Sequence, residues 1–247
     1  MLSEERYRMI LKILEEKRSV TVTELTNLLD ISESTARRDI TALDKAGKLI
    51  KVFGGAVLSD NEFLSLEPTV AQKAEISQEE KRKIARYAAS LIQPHDFIYL
   101  DAGTTTGYML DYIRETDAAF VTNAVAHAQK LARNGMYVIL TGGTLKSSTE
   151  AVVGAMAALM LKDYHFTRGF FGTNGVSRTA EFTTPDADEA LVKKTAMAQC
   201  REAYVLCDHS KFNMVSKVTF GSFASASILT DEAPEEWRDA ANLILCP

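Results

Sequence analysis

The stretch SESTARRDITALDKAGKLIKVFGGAVL, residues 32–58, decides the reading of the first part of the chain. Ser32 is placed to cap a helix beginning at Glu33. On that helix Ala36, Ile40 and Leu43 fall on one face, and Ser34, Thr35, Arg37, Arg38 and Thr41 on the other. The polar face suits a DNA groove, because arginine offers a planar fork to guanine edges or phosphate and serine and threonine are small donors that approach closely. Alone, such a face reads more readily as solvated surface, and it is the helices before it that reverse the balance. After Gly47, two apolar runs, Leu49–Phe53 and Ala56–Leu58, flank Gly54-Gly55. That is a hairpin pattern that would form a wing, with Lys48 and Lys51 in reach of backbone phosphate.

The residues upstream supply the context. Tyr7, Ile10, Leu11 and Leu14 form a stripe at helical spacing. Thr21 and Glu24 make a capping-box pattern that starts a second helix near Val22, running through Leu25, Leu28 and Leu29 and stopping at Asp30-Ile31. Two capped helices meeting at a tight turn and followed by a hairpin predict an all-α winged helix-turn-helix over residues 1–58. The run of hydroxyl residue, Thr, apolar residue and Arg-Arg-Asp, with a wing ending in Gly-Gly-Ala, resembles the DNA-binding signature of the DeoR family of bacterial regulators. The resemblance implies a recognition helix whose Ser34, Thr35, Arg37 and Arg38 contact DNA. Asp39, which would repel phosphate, is expected to orient a neighbouring arginine.

Composition sets the bounds. The chain has 247 residues, 46% of them hydrophobic, enough for a small domain plus a medium one. Its net charge is -5; residues 1–57 hold ten basic and nine acidic residues, a net of +1 that leaves -6 for the rest. Nucleic-acid contact must therefore come from a local patch. Cys200, Cys207 and Cys246 lack paired spacing, which argues against a disulfide framework or zinc. With no signal segment and no long apolar run, a cytoplasmic protein without membrane contact is expected.

Residues 59–76 mix acids, Pro68 and scattered apolar residues, and read as a linker. Residues 77–247 then read as one α/β domain with a mainly parallel sheet. Ser77 and Glu80 form a second capping-box pattern, opening a helix with Ile84, Ala85, Ala88, Leu91 and Ile92 facing inward and Lys81-Arg82-Lys83 as solvated surface. Strand-like runs follow at Phe97–Leu100, Ala119–Thr122, Tyr137–Thr141, Gly169–Phe171, Ala203–Leu206, Ser227–Thr230 and Leu243–Leu245, alternating with helical ones. Gly154, Met156 and Met160 read as helix packing. In such sheets ligands gather at the carboxyl ends of the strands. There the sequence places Asp101-Ala102-Gly103-Thr104-Thr105-Thr106-Gly107, Thr122-Asn123, Gly142-Gly143, Gly172-Thr173-Asn174-Gly175 and Asp208-His209-Ser210-Lys211. The first loop combines close-approach glycine with three hydroxyls, an anion cradle that is neither the nucleotide phosphate loop nor the dinucleotide fingerprint. Glu189 and Lys193 stand one turn apart on a helix opening at Asp186, as either a surface pair or ligand contacts.

These elements also resemble the DeoR-family sensor domain, which is similar to sugar-phosphate isomerases such as ribose-5-phosphate isomerase and whose members bind phosphorylated sugars. The resemblance implies that Gly103, Thr104, Thr105 and Thr106 hold phosphate while Asp101, Asn123, Lys193, Asp208 and Lys211 meet the sugar. A regulator of this kind binds a double-stranded operator, works as a dimer or tetramer, and needs no cofactor, metal or catalytic residue. The competing reading is an isomerase, with Glu189 or Asp208 moving a proton and Lys193 or Lys211 steadying an enediolate. The scattered His95, His127, His165 and His209 show no ligand spacing, and structural or surface roles are expected of them.

Overall fold

In the computed structural model, which describes residues 3–17, 19–45, 48–52, 54–58 and 70–247, the first described helix is α1 (Ser3–Lys17). It is followed by β1 (Ser19–Thr21), α2 (Val22–Leu29), α3 (Glu33–Lys45), β2 (Leu49–Val52) and β3 (Gly55–Leu58). The Thr21–Glu24 box forms as its pattern implies: the Thr21 hydroxyl accepts the Glu24 N–H at 3.1 Å and the Glu24 carboxylate accepts the Thr21 N–H at 2.8 Å. Asp30 closes α2 in the left-handed region, at φ 49. Ser32 caps α3 by accepting the Thr35 N–H at 3.2 Å. Ile10, Leu14, Leu25, Ala36, Ile40 and Leu43 make the core. The strands form an antiparallel sheet in the order β1-β3-β2, so β1 adds a third strand to the hairpin. Both wing glycines have a reason: Gly54 takes φ +82 at the turn, and a Cβ on Gly55 would stand 2.2 Å from the Val20 carbonyl oxygen. Gly47, Phe53 and residues 59–69 of the expected linker lie outside the described residues.

The chain divides into two units, residues 1–61 and 62–247. In the second, α4 (Val70–Glu75) and α5 (Gln78–Ser90) precede β4 (Phe97–Leu100), α6 (Thr104–Met109), β5 (Ala119–Thr122), α7 (Val125–Arg133) and β6 (Tyr137–Leu140). Next come β7 (Thr144–Lys146), β8 (Ala151–Val153), α8 (Ala155–Leu161), β9 (Phe166–Gly172), β10 (Gly175–Ser177), β11 (Glu181–Thr184) and α9 (Ala187–Ala198). The chain ends with β12 (Cys200–Leu206), β13 (Val218–Gly221), β14 (Ser227–Thr230) and β15 (Leu243–Leu245). Seven strands make one parallel sheet in the order β15-β14-β12-β9-β4-β5-β6. Every strand run expected from the sequence lies in it. Side chains alternate between two cores: Ile98, Leu100, Phe170 and Leu206 pack on the face shared with α5, and Tyr99, Phe171 and Val205 on the face shared with α9. From β4 the order runs through β5 and β6 to one edge, and from β9 through β12 and β14 to the other. The reversal therefore falls between β4 and β9, whose carboxyl ends open a crevice.

Four expectations need correction. Residues 70–76 are not linker: α4 is folded onto the second unit, with the Tyr108 hydroxyl donating to the Ala74 carbonyl at 3.0 Å and the Val70 N–H to the Ser148 carbonyl at 3.3 Å. Ser77 does not cap α5, because its backbone is left-handed at φ 51 and its side chain makes no cap bond. Lys81 is not solvated surface but 4% exposed, since it precedes the buried Ile84, Ala85 and Ala88 at three, four and seven residues and shares their stripe. Met156 is not packed: it is 68% exposed, on a helix whose buried face is Ala157, Ala158 and Leu161. No helix among the described residues is long and apolar enough to cross a membrane.

Candidate functional site

In the first unit none of the side chains assigned to DNA is buried. Ser34, Arg37 and Arg38 on α3 are exposed, as are Lys48 and Lys51, and Thr35 and Thr41 are partly so. The Lys51 ammonium donates to the Thr41 hydroxyl at 3.0 Å, tying the wing to the recognition-type helix. Arg37 leans on Glu33 one turn earlier. Asp39 is buried and holds Arg6 of α1 at 2.7 and 3.1 Å, so the arginine it orients comes from another helix.

In the second unit a cavity of about 170 Å³ opens at the carboxyl ends of β4 and β9. Of the expected effector residues, Gly103, Thr104, Thr105, Gly172, Glu189, Lys193, Asp208 and Lys211 line it. Others lie behind the wall. Asp101 is buried beneath, accepting the Gly172 N–H at 3.0 Å and pairing with Lys193. Thr106 turns its hydroxyl inward, donating to the Asp101 carbonyl at 2.7 Å. Asn123 holds the Ala102 N–H at 2.8 Å, and Thr122 accepts the Ala124 N–H at 3.1 Å. Gly142 and Gly143 stand away from the cavity. At Gly143, φ +144 and a Val153 carbonyl oxygen 2.8 Å from any Cβ make the glycine a requirement of the turn between β6 and β7.

The charges are arranged with care for burial. Lys193 donates to Asp101 and to the Gly172 carbonyl at 3.0 Å and lies 5.4 Å over the Phe220 ring. Burial raises the Asp101 pKa, and the Lys193 charge works against that rise. Lys193 does not pair with Glu189. The Glu189 carboxylate accepts from Lys146 at 3.0 Å and from Thr149 at 2.7 Å, while Asp186 caps α9 through the Glu189 N–H at 2.9 Å. Asp208 accepts the Ser210 N–H at 3.1 Å in the turn that carries Lys211. Sequence reading placed Asn174 in one of the carboxyl-end loops but missed Lys73, Lys81 and Thr149 as lining residues. Lys81 donates to the Lys73 carbonyl; burial lowers its pKa, the nearby Asp208 charge partly offsetting this. Four lysines thus face a cavity whose hydroxyls, Thr104 and Thr105, can donate as well. Such a lining favours an anion, and Glu189, Asn174 and Asp208 add acceptors for hydroxyl groups.

Comparison with known proteins agrees with both halves. Residues 6–62 match the model of the DeoR-like helix-turn-helix domain and residues 76–232 that of the DeoR C terminal sensor domain. A Bacillus subtilis (strain 168) protein named "Uncharacterized HTH-type transcriptional regulator FruR" is 44% identical over 95% of this chain and 93% of its own length. A lactose phosphotransferase system repressor of Streptococcus mutans is 35% identical over 93% of this chain and 91% of its own. Among solved structures, ribose 5 phosphate isomerase A from Neisseria gonorrhoeae superposes with a TM-score of 0.41 at 14% identity, over 54% of this chain and 53% of that one.

Proposed function

The chain belongs to the DeoR family of helix-turn-helix transcription regulators, and from that premise we propose that it represses a carbohydrate-metabolism operon, its operator affinity being set by a phosphorylated sugar. One observation carries the reading: Lys73, Lys81, Lys193 and Lys211 converge on the β4–β9 cavity of a chain that also presents Arg37 and Arg38 on a helix-turn-helix. A phosphate complements that concentration of positive charge, and Glu189, Asn174 and Asp208 take the sugar hydroxyls. Gly103, Thr104 and Thr105 support the phosphate; Asp101, Thr106, Thr122 and Asn123 hold the wall in shape from behind. That the Streptococcus mutans relative is named a repressor of a lactose system supports a carbohydrate operon.

On the DNA side Ser34, Thr35, Arg37, Arg38 and Thr41 meet the major groove while Lys48 and Lys51 meet phosphate. Paired half-sites ask for two copies of the chain, as a dimer or tetramer. The surface of α8 supports self-association, since its seven residues, Ala-Met-Ala-Ala-Leu-Met-Leu, include no polar side chain and leave Met156 and Leu159 uncovered. Glu189 and Asp208 are both engaged by protein donors, and the relatives are named as regulators, which weighs against the isomerase reading.

The test is titration of the full chain with sugar phosphates and their unphosphorylated counterparts, with and without the DNA flanking its own gene. Arg38→Ala is expected to weaken DNA binding and leave sugar-phosphate binding intact. Lys81→Met is expected to do the reverse, lowering sugar-phosphate affinity about 10- to 100-fold, the size of a charge-assisted bond. Equal affinity for phosphorylated and plain sugars, or no salt-sensitive binding to any flanking duplex, overturns the proposal.

A further inference from the structure

The cavity wall includes Val70, Lys73 and Ile76, all in or beside α4. That helix is the first described element on the C-terminal side of the DNA-binding unit, so whatever moves α4 acts at the point where the chain enters the sensor. Its polar contacts include three that reach it from other parts of the unit. The Val70 N–H reaches Ser148, next to the cavity residue Thr149; Lys81 reaches the Lys73 carbonyl; and Tyr108 reaches the Ala74 carbonyl at 3.0 Å.

Tyr108 differs from the other two in its position. It does not line the cavity, yet it belongs to α6, whose opening residues Thr104 and Thr105 do. Its ring is steadied by Arg82 of α5, whose guanidinium carbon lies 4.8 Å from the ring centroid. The phenol therefore joins the wall that receives an anion to the helix that leads back toward the DNA reader, and α5 pins it between them.

Resting on the functional reading above, we propose that Tyr108 is the coupling residue of the sensor: through its hydrogen bond to Ala74 it converts filling of the Thr104–Thr105 side of the cavity into a changed position of α4, and so into changed operator affinity. It is a positioning residue, since it lies outside the cavity lining and would act on the ligand response through α4. A coupling contact has a signature that a merely structural one lacks: its loss separates binding from response.

The test uses the full chain and Tyr108→Phe, which deletes one hydroxyl and keeps the ring under Arg82. The probes are fructose 1-phosphate and glucose 6-phosphate, taken forward according to which shifts wild-type melting, and the DNA is the duplex flanking the gene. The variant is expected to bind the probe within about twofold of wild type while the ratio of DNA affinities without and with probe shrinks at least fivefold. Amide exchange across residues 70–75 is expected to slow on probe addition in wild type and to stay fast in the variant. Arg82→Gln, which frees the ring but keeps the phenol, is expected to change the ratio in the same direction by less. A wild-type ratio in Tyr108→Phe with normal folding overturns the coupling role and leaves the sugar-phosphate site standing. A wild-type chain that binds neither probe, or whose DNA affinity ignores the bound probe, removes the site or its regulatory use, and the coupling role with it.

Discussion

His127 sits buried on α7, against the backbone of α6: a Cβ on Gly107 would meet its Nε2 at 3.1 Å. Burial lowers its pKa from 6.5 to about 4, with the Gly103 backbone working against that and the Lys130 charge adding to it. The folded state thus binds this proton more weakly than the unfolded chain does, so the stability His127 supports is present above pH 6.5 and is lost as pH falls from 6.5 toward 4. The loss amounts to roughly 3 kcal/mol at the acid end. Urea titrations at neutral and mildly acid pH check this, with His127→Gln expected to flatten the profile; an unchanged slope in the variant would assign the acid loss elsewhere. At this scale the sequence named Asp101 and Lys193 but not their pairing, because 92 residues separate them and only the sheet brings them together. Lys81 could have been found, since counting the helical stripe back from Ile84 places it inside. The neighbouring charges of Arg82 and Lys83 hid that.

At the scale of elements, capping patterns were informative only where the backbone allowed them. Thr21 is extended, at φ -84 and ψ 157, and completes its box; Ser77 offers the same letters in a left-handed conformation and does not. Thr21→Ala is accordingly expected to cost about 1 kcal/mol, read by denaturation of the first unit. A change below a few tenths would mean that tertiary packing alone holds α2. The seven strands of the large sheet were legible because each carries an apolar run bounded by turn or helix signals, although the edge strands β6 and β15 leave Tyr137 and Leu245 exposed. The sheet β10-β11-β13 and the hairpin β7-β8 were not, being strands of only three or four residues, too short to show a period. Exposure along α8 was equally hidden, for an apolar heptapeptide reads as core whatever lies beyond it.

For the whole molecule, the division into units at residue 61 has a calorimetric consequence. Heating is expected to show two transitions, and a sugar phosphate at a hundred times its dissociation constant should stabilise the second unit by about 2.7 kcal/mol while leaving the first where it was. Equal displacement of both transitions would mean that the units unfold as one. The division itself was visible in the change from helical stripes to alternating strand and helix; the place of α4 was not, because its six residues carry no periodicity long enough to read. The reversal of strand order between β4 and β9 reaches further than the crevice it opens. It divides the cavity between two successive stretches of chain, Gly103 to Thr105 arriving from one and Asn174, Glu189 and Asp208 from the other. Cations come with both, Lys73 and Lys81 on the first and Lys193 and Lys211 on the second, so an anion seated among them would bridge the two stretches, and inheritance has to keep both in step.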